Sequence, residues 1–255
     1  GYMVFACGIS NYSASLFHLV NHGFFKALLF LSAGSVIHAM GDEQDMRKYG
    51  GLIKKIPFTY SMMLIGSLSL MGFPFLTGYY SKDAILELAY ENYTISSTFE
   101  NWLGTISAFF TAFYSFRLIY LTFLADPNSN RTNYTNAHES PWQMSVPLVI
   151  LAIGSIFFGY VFRDAVIGVG TDFFGASIFI HPDNNNMVSA EFMGTFEKWI
   201  PVIVSLIGAG SALVLYYSFS ATLINIKVSP FGSRIYTFLS NKWHWDYIYA
   251  HYIAK

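Results

Sequence analysis

The sequence predicts an all-α protein, a bundle of membrane-spanning helices, and three observations support this fold class. Of the 255 residues, 54% are apolar and only 11% are charged, whereas a soluble domain carries about 25% charged residues. The mean hydropathy is +0.42, and 19% of the residues are aromatic. Five stretches remain apolar for the roughly 20 residues that a helix needs to cross a bilayer. This composition excludes a soluble enzyme, a disordered chain and a fibrous chain.

Clusters of polar residues with Gly, Pro and Asn separate the five stretches, as expected for connecting loops. Residues 1–7 look like the end of a further apolar segment, so we predict about five to six spans, one of them broken. Because the first residue is Gly1 and no signal-peptide pattern follows it, we expect an internal piece of a longer membrane protein. The predicted spans are residues 14–40, 57–80, 99–124, 141–162 and 199–224.

The residue content also limits the partners and cofactors of the chain. A net charge of −1 argues against binding to nucleic acid, which requires a basic face. The single cysteine, Cys7, excludes a disulfide framework and a thiolate metal cage. The sequence lacks a GxGxxG motif, a P-loop and a cysteine cluster for an iron–sulfur centre. We therefore expect no nucleotide, redox cofactor or metal to be bound by this chain itself.

Three ionisable residues follow one another along the first predicted span. His18, His22 and Lys26 are spaced four residues apart, so that successive side chains drift by only about 40° and all three lie on one helix face. Ionisable groups inside a membrane cost roughly 2.5–3.5 kcal/mol each on insertion scales and are functional candidates. A neutral imidazole can take up a proton at one nitrogen and release one from the other, and a desolvated lysine gives up its proton more readily. The stripe favours a proton relay.

Two other interpretations of the stripe remain open. Histidines four residues apart can bind a metal ion, but this span has no Cys, Asp or Glu beside them, and Lys26 would repel the ion. The histidines can also be hydrogen-bonded packing residues.

His38 lies about 200° around the helix from His18 and near the end of the span, which is typical of a loop or gate residue.

The second predicted span contains a helix break. Pro74 removes an N–H group and disfavours helix at the preceding residue, and Gly78 allows further bending. Broken helices at membrane depth are characteristic of ion sites in transporters. Lys82 and Asp83 follow the break, and Glu87 lies one turn later. The alternative is a span that ends near residue 80, with these residues as an ordinary polar boundary. An ion pair between adjacent helical residues is not assured, because they do not face each other.

The distribution of Lys and Arg predicts the orientation. Nine basic residues fall on one side and at most three on the other, so the first side is predicted to be cytoplasmic, or the matrix side in a mitochondrion. Arg117, seven residues from the end of its span, either snorkels to the basic side or forms a buried ion pair. The tail 243–253 is either an interfacial segment or a packed aromatic end. The nine residues are Arg47, Lys48, Lys54, Lys55, Arg131, Lys227, Arg234, Lys242 and Lys255, and the three are Arg163, Lys198 and Lys82.

Three sequence runs resemble the chain 5 family of NADH–ubiquinone oxidoreductase, respiratory complex I. They cover much of residues 1–124, while the later part resembles the C-terminal region of the family more loosely. The charged loop is similar to mitochondrial rather than bacterial members. The runs are His18-Leu19-Val20-Asn21-His22-Gly23-Phe24-Phe25-Lys26-Ala27-Leu28-Leu29-Phe30-Leu31, Asp42-Glu43-Gln44-Asp45-Met46-Arg47-Lys48 with Gly50-Gly51, and Gly72-Phe73-Pro74-Phe75-Leu76-Thr77-Gly78-Tyr79-Tyr80-Ser81-Lys82-Asp83.

This resemblance implies a helix bundle with two inverted repeats, each with a broken helix. The chain is then expected to begin inside the second repeat, whose broken helix is the span around residues 72–82. Residues 1–124 are expected to form the proton-translocating part, and residues 125–255 the C-terminal helices and interfacial tail. The first repeat, the long lateral helix and the final span of the family are absent, so we expect a fragment or a separate remaining piece. The implied proton path contains His18, His22, Lys26, Lys82 and Asp83, with His38, Arg117 and Glu87 as further candidates.

Three functions are consistent with these features. The first is a proton-translocating subunit of complex I in the mitochondrial inner membrane, driven by redox chemistry in other subunits. In that case the resemblance implies that those subunits hold NADH, FMN, iron–sulfur clusters and ubiquinone. It also implies that the partners of this chain are lipids and the other membrane and peripheral subunits of complex I. The second is a subunit of a multi-subunit cation/proton antiporter. The third is a non-transporting structural fragment that keeps the fold.

Overall fold

The structure, a computed structural model, describes residues 1–91, 97–179, 184 and 186–254 and is helical, with no strand in these ranges. Four of its helices are long and apolar enough to cross a membrane, which confirms the predicted fold class. The helices are α1 (Tyr2–Gly8), α2 (Tyr12–Ala39), α3 (Pro57–Met71), α4 (Ala84–Tyr90), α5 (Ser97–Ile119), α6 (Arg131–Asn136), α7 (Trp142–Ile167), α8 (Asn186–Glu191), α9 (Thr195–Ser218), α10 (Ser220–Val228), α11 (Pro230–Ser240) and α12 (Trp245–Ile248).

The long helices agree with the predicted spans except at the last one. The first, third and fourth predicted spans correspond to α2, to α5 with the π-helical turn Tyr120–Leu124, and to α7. The fifth was predicted to end at residue 224, but α9 ends at Ser218. Phe219 leaves the helical conformation with φ −118° and ψ 28°, and α10 begins after it. Hydropathy did not reveal this interruption, because residues on both sides of it are apolar.

The predicted break in the second span is confirmed. Helix α3 ends at Met71 and is followed by Gly72, which has a φ of +81°. Helix resumes as a π-helical turn over Tyr79–Asp83 that continues into α4. The alternative interpretation, a span that ends near residue 80 at an ordinary polar boundary, is wrong. Lys82 and Asp83 are buried inside the protein, with 2% and 1% of their surfaces exposed.

Helix α2 is central to the packing, since it contacts α1, α3 and α7. One core cluster joins Phe25 and Val36 of α2 to Met63 and Leu70 of α3 and to Phe123 after α5. Lipid tails are as apolar as these side chains, so close van der Waals contact, and not removal from water, stabilises such a bundle. This packing holds α2 against both halves of the broken span.

The N-terminus of α3 is capped by a side chain from a distant part of the chain. Glu139 Oε1 accepts hydrogen bonds from the backbone N–H groups of Phe58 (2.6 Å) and Thr59 (3.2 Å). Glu139 Oε2 accepts a third from Thr59 Oγ1 at 2.7 Å. A carboxylate at this position satisfies unpaired N–H groups and interacts favourably with the positive end of the helix dipole. The cap fixes the loop before α7 against the start of α3.

Replacing this cap should loosen the first turn of α3. In Glu139→Ala the amides of Phe58 and Thr59 lose their acceptor, and loss of a helix cap typically costs about 1 kcal/mol. We expect these amides to exchange hydrogen roughly five- to tenfold faster, as measured by hydrogen-exchange mass spectrometry. Asp172→Ala, which removes an exposed carboxylate, should leave this peptide unchanged. Unchanged exchange in Glu139→Ala would contradict the capping role.

Two of the predicted basic loops lie together. Asn128 Nδ2 donates to Arg47 O at 2.7 Å, Tyr134 Oη donates to Gly51 O at 3.2 Å, and Lys55 Nζ donates to Thr135 O at 3.2 Å. The loop after α2 and the loop after α5 therefore lie on the same side of the bundle, as predicted from their charges.

The chain forms two compact units, residues 1–212 and 213–255. In the second unit, Lys227 Nζ lies 4.1 Å from the centroid of the Tyr236 ring. The side chains of Trp245, Tyr249 and Tyr252 in its tail are exposed in this chain. Lys255, counted among the basic residues, lies outside the described residues.

Candidate functional site

One cavity of about 310 Å³ is lined by His18, His22 and Lys26 of α2 and by Lys82. A water molecule occupies about 30 Å³ of the liquid, so the cavity has room for several. The structure therefore brings together four of the five residues predicted for the proton path. Sequence reasoning missed the polar side chains that α1 and α5 contribute to the same cavity, namely Tyr2, Ser107, Thr111 and Tyr114.

His18 connects α2 to the broken span. Its side chain is buried, and its Nδ1 lies 3.0 Å from Ser81 Oγ in the π-helical turn. The ring of His22, one turn along α2, is half-buried and lies 5.8 Å from the His18 ring, centroid to centroid. His22 and His18 thus lie next to each other along α2 in the lining of the cavity, and His18 also contacts Ser81.

Lys82 is held by the end of α3 and by its own neighbour. Its Nζ donates to Met71 O at 2.5 Å and lies 3.3 Å from Asp83 Oδ1. Met71 is the last residue of α3, and the final carbonyl groups of a helix carry partial negative charge. The break thus supplies a helix C-terminus, an acceptor for the buried ammonium that an uninterrupted helix would not offer.

Gly72 provides the space for this arrangement. A Cβ atom at this position would lie 2.8 Å from Asp83 Oδ1 and from both Cε and Nζ of Lys82. The φ of +81° is also one that glycine adopts without strain. The pairing of adjacent residues, which helix geometry alone did not assure, results from the turn and from this glycine.

Asp83 is the weakly held member of the pair. Among the described residues, neither carboxylate oxygen takes part in a hydrogen bond; the 3.3 Å contact with Lys82 satisfies the distance of an ion pair but not the angles of a hydrogen bond. A buried carboxylate with one loosely placed partner can exchange that partner more easily than one held by several donors. Asp83 is therefore held, within the described chain, by its contact with Lys82 alone.

Lys26 lines the same cavity from α2. It is half-buried, and its Nζ lies 5.8 Å from the centroid of the Phe30 ring, whose side chain is largely exposed. Cation–π contact of this kind stabilises an ammonium group without neutralising it. Lys26 keeps access to the cavity and to the outer surface of α2.

The other three candidates lie elsewhere. Glu87 is half-buried and lines a separate cavity of about 540 Å³ with Glu91 and Glu197. His38 is exposed at the end of α2, with its ring 6.1 Å from that of His138. Arg117 is half-buried, and one of its guanidinium nitrogens lies 3.8 Å from Met46 Sδ in the basic loop, as expected if it snorkels to that side. None of the three lines the cavity of His18.

No group of three or more His, Cys, Asp or Glu side chains in the described part of the chain could hold a metal ion. His18 and His22 instead lie among Lys26, Lys82 and neutral hydroxyl groups. A divalent cation would be repelled by the two ammonium groups in this environment.

Comparison with known families agrees with this arrangement. Residues 1–121 match the family described as NADH:quinone oxidoreductase/Mrp antiporter, TM, and residues 114–255 match the one described as NADH dehydrogenase subunit 5 C-terminus. The chain belongs to the NADH dehydrogenase subunit 5 family. The second match covers the region in which the motifs of this subunit 5 family were least evident from the sequence.

Several relatives carry the name NADH-ubiquinone oxidoreductase chain 5. Those of Marchantia polymorpha and Phytophthora infestans are each 55% identical to this chain over its whole length. That of Cryptococcus neoformans is 54% identical over 98% of the chain. The chain spans 38% of the length of each of these relatives.

Proposed function

We propose that the chain forms a proton-translocating part of a membrane subunit of respiratory complex I, an H⁺-translocating NADH:ubiquinone oxidoreductase. The observation that carries this proposal is the single cavity lined by His18, His22, Lys26 and Lys82. Such a cavity lets water connect groups that take up and release protons. The relatives named as chain 5 of the oxidoreductase support the same conclusion.

The geometry suggests how protons pass along this path. Protons move between Lys26, His22 and His18 through imidazole nitrogens and intervening water. Lys82 stays protonated while Met71 O and Asp83 hold its ammonium group. When Asp83 moves away, the desolvated ammonium loses that support and releases its proton. Charge movement elsewhere in the complex would drive this separation.

The remaining parts of the proposal concern the whole complex. Redox chemistry would take place in other subunits, which would hold NADH, FMN, iron–sulfur clusters and ubiquinone. The eukaryotic relatives support a location in the mitochondrial inner membrane. Lipids and other subunits would cover exposed apolar side chains such as Ile150 and Val161 of α7.

We also propose that the chain divides near residue 124 into a translocating part and a C-terminal part. The two family matches overlap at residues 114–121, which supports this division.

A cation/proton antiporter subunit is the second candidate, because the description of the family matched by residues 1–121 includes the Mrp antiporter. Membrane vesicles distinguish the two. Inhibitor-sensitive proton uptake driven by NADH is expected for complex I. Dissipation of a pH gradient by sodium without NADH would instead favour the antiporter.

The orientation gives a separate prediction. The loop of residues 41–56 should face the matrix, because nine basic residues were assigned to its side and at most three to the other. A cysteine introduced at Lys54 should react with an impermeant maleimide in inside-out vesicles and not in right-side-out mitoplasts. A cysteine introduced at Asp172 serves as the opposite-side control. Labelling of position 54 from the intermembrane space alone would show that the orientation is reversed.

A further inference from the structure

We infer that Ser81 is a positioning residue that sets the tautomer of His18, so that His18 exchanges its proton through Nε2. The inference rests on the proposed function, since it concerns how one group of the proton path works. It adds a residue that neither charge nor spacing in the sequence indicated.

The hydroxyl of Ser81 has two partners. Ser81 is 1% exposed, and its Oγ lies 3.0 Å from His18 Nδ1 and 3.3 Å from Thr77 O. A carbonyl oxygen can only accept, and a hydroxyl has a single hydrogen to donate. When Ser81 donates to Thr77 O, it must accept from Nδ1–H of His18, which leaves the lone pair of the neutral ring on Nε2.

This arrangement suits both charge states of His18. An imidazolium donates from both nitrogens, so its Nδ1–H needs an acceptor. Ser81 already offers one while it donates to Thr77 O, and no hydroxyl has to turn when the ring gains a proton. With the opposite tautomer, Ser81 would donate to Nδ1, and each protonation would require it to rotate.

The exchange then takes place at one nitrogen. An arriving proton binds the lone pair of Nε2, and the same N–H bond breaks when the proton leaves for water or another base; Nδ1–H is kept throughout. Nε2 has no hydrogen bond with the described residues, and the ring lines the cavity. The titratable groups that share this region with His18 are Tyr2 of α1, His22 and Lys26 of α2, Lys82 and Asp83 of the broken span, and Tyr114 of α5.

The test uses the assembled complex in membrane vesicles and compares three variants. Ser81→Ala removes the acceptor, and Ser81→Thr keeps a hydroxyl. Ser67→Ala is the control, because Ser67 of α3 is fully buried and its hydroxyl has no hydrogen-bond partner among the described residues. Proton uptake per NADH oxidised is measured from acid to alkaline pH and normalised to assembled complex.

In Ser81→Ala we expect the pH midpoint of proton uptake to move to lower pH by roughly one unit, with a several-fold loss at neutral pH. The reason is that Ser81→Ala removes the acceptor of a charge-assisted hydrogen bond from the imidazolium of His18. Loss of this bond shifts the equilibrium between the protonated and the neutral ring about tenfold. Ser81→Thr and Ser67→Ala should keep the wild-type profile. If Ser81→Ala does not assemble, Ser81→Cys gives the same test, because a thiol is a weak acceptor.

Three results would overturn the inference: an unchanged profile in Ser81→Ala, equal losses in Ser81→Ala and Ser81→Thr, or an equal loss in Ser67→Ala.

The proposed function is tested separately, by the Lys82→Arg variant. An unchanged Ser81→Ala together with a non-pumping Lys82→Arg rejects the role of Ser81 alone, whereas a fully pumping Lys82→Arg rejects the carrier role of Lys82 in the path.

Discussion

Lys82→Arg is expected to abolish most proton pumping while the complex still assembles. An arginine can donate to Met71 O and pair with Asp83 as the lysine does, so the buried charge remains compensated. A guanidinium stays protonated at every accessible pH and cannot act as a proton carrier. The attraction between unit charges about 4 Å apart is roughly 4 kcal/mol at an effective dielectric of 20, enough to hold an ammonium in its charged form until Asp83 moves away.

Lys82→Ala should be at least as damaging, since it also leaves Asp83 as a buried carboxylate without its cation. Removing one partner of a buried ion pair typically costs about 3–5 kcal/mol, so the amount of assembled complex should fall too. Lys26→Ala should reduce pumping to a similar degree as Lys82→Arg, because it interrupts the same set of groups along the cavity.

The measurement is NADH-driven proton uptake in vesicles, normalised to assembled complex. Lys55→Arg is the matched control, because Lys55 lies in the loop after α2, donates to Thr135 O of α6 and does not line the cavity; this variant should pump as the wild type does. Pumping near the wild-type rate in Lys82→Arg would mean that a permanent charge suffices, and the carrier role would have to be abandoned.

The helices were predictable because a span needs a long apolar run, a signal that depends on no other part of the chain. Pro74 was the local signal of the break, since it removes a helical N–H group and disfavours helix at the residue before it. That signal depends on context, because Pro147 and Pro201 lie inside α7 and α9. The position of the turn was harder. Helix α3 ends at Met71, three residues before the proline. Helix then resumes as a π-helical turn over Tyr79–Asp83, and no residue pattern in this sequence specified its wider geometry.

The stripe on α2 was predictable from spacing, but its partners were not. Periodicity indicates which side chains share a helix face and does not indicate which helix packs there. Ser81 reaches His18 only because α2 packs against the broken span, and Tyr114 reaches the cavity because α5 borders the same space. His38 and Arg117 were candidates by charge alone, and packing places them away from the cavity. Glu139, which caps a helix 80 residues before it in the chain, left no local signal at all.

Gly72→Ala is expected to reduce proton pumping by about tenfold or more. The added Cβ would lie 2.8 Å from Asp83 Oδ1 and Lys82 Nζ, closer than real contacts allow, so both charged ends must shift away from it, and we expect the distance between them to increase. Widening their separation from 3.3 Å to about 5 Å weakens their attraction by roughly 1.7 kcal/mol at an effective dielectric of 20. A change of 1.4 kcal/mol corresponds to a factor of ten in the proton equilibrium of the pair.

Backbone strain must be separated from this effect, and Gly170→Ala does so. Gly170 has a φ of +80°, nearly that of Gly72, but nothing lies within 4 Å of its added Cβ. Both variants strain the backbone by about 1–2 kcal/mol, whereas only Gly72→Ala presses on the ion pair. Proton uptake per NADH oxidised, in equal amounts of assembled complex, should therefore fall in Gly72→Ala and stay at the wild-type value in Gly170→Ala. Equal losses in the two would attribute the effect to strain, and the space beside Gly72 would then have no part in controlling Lys82 and Asp83.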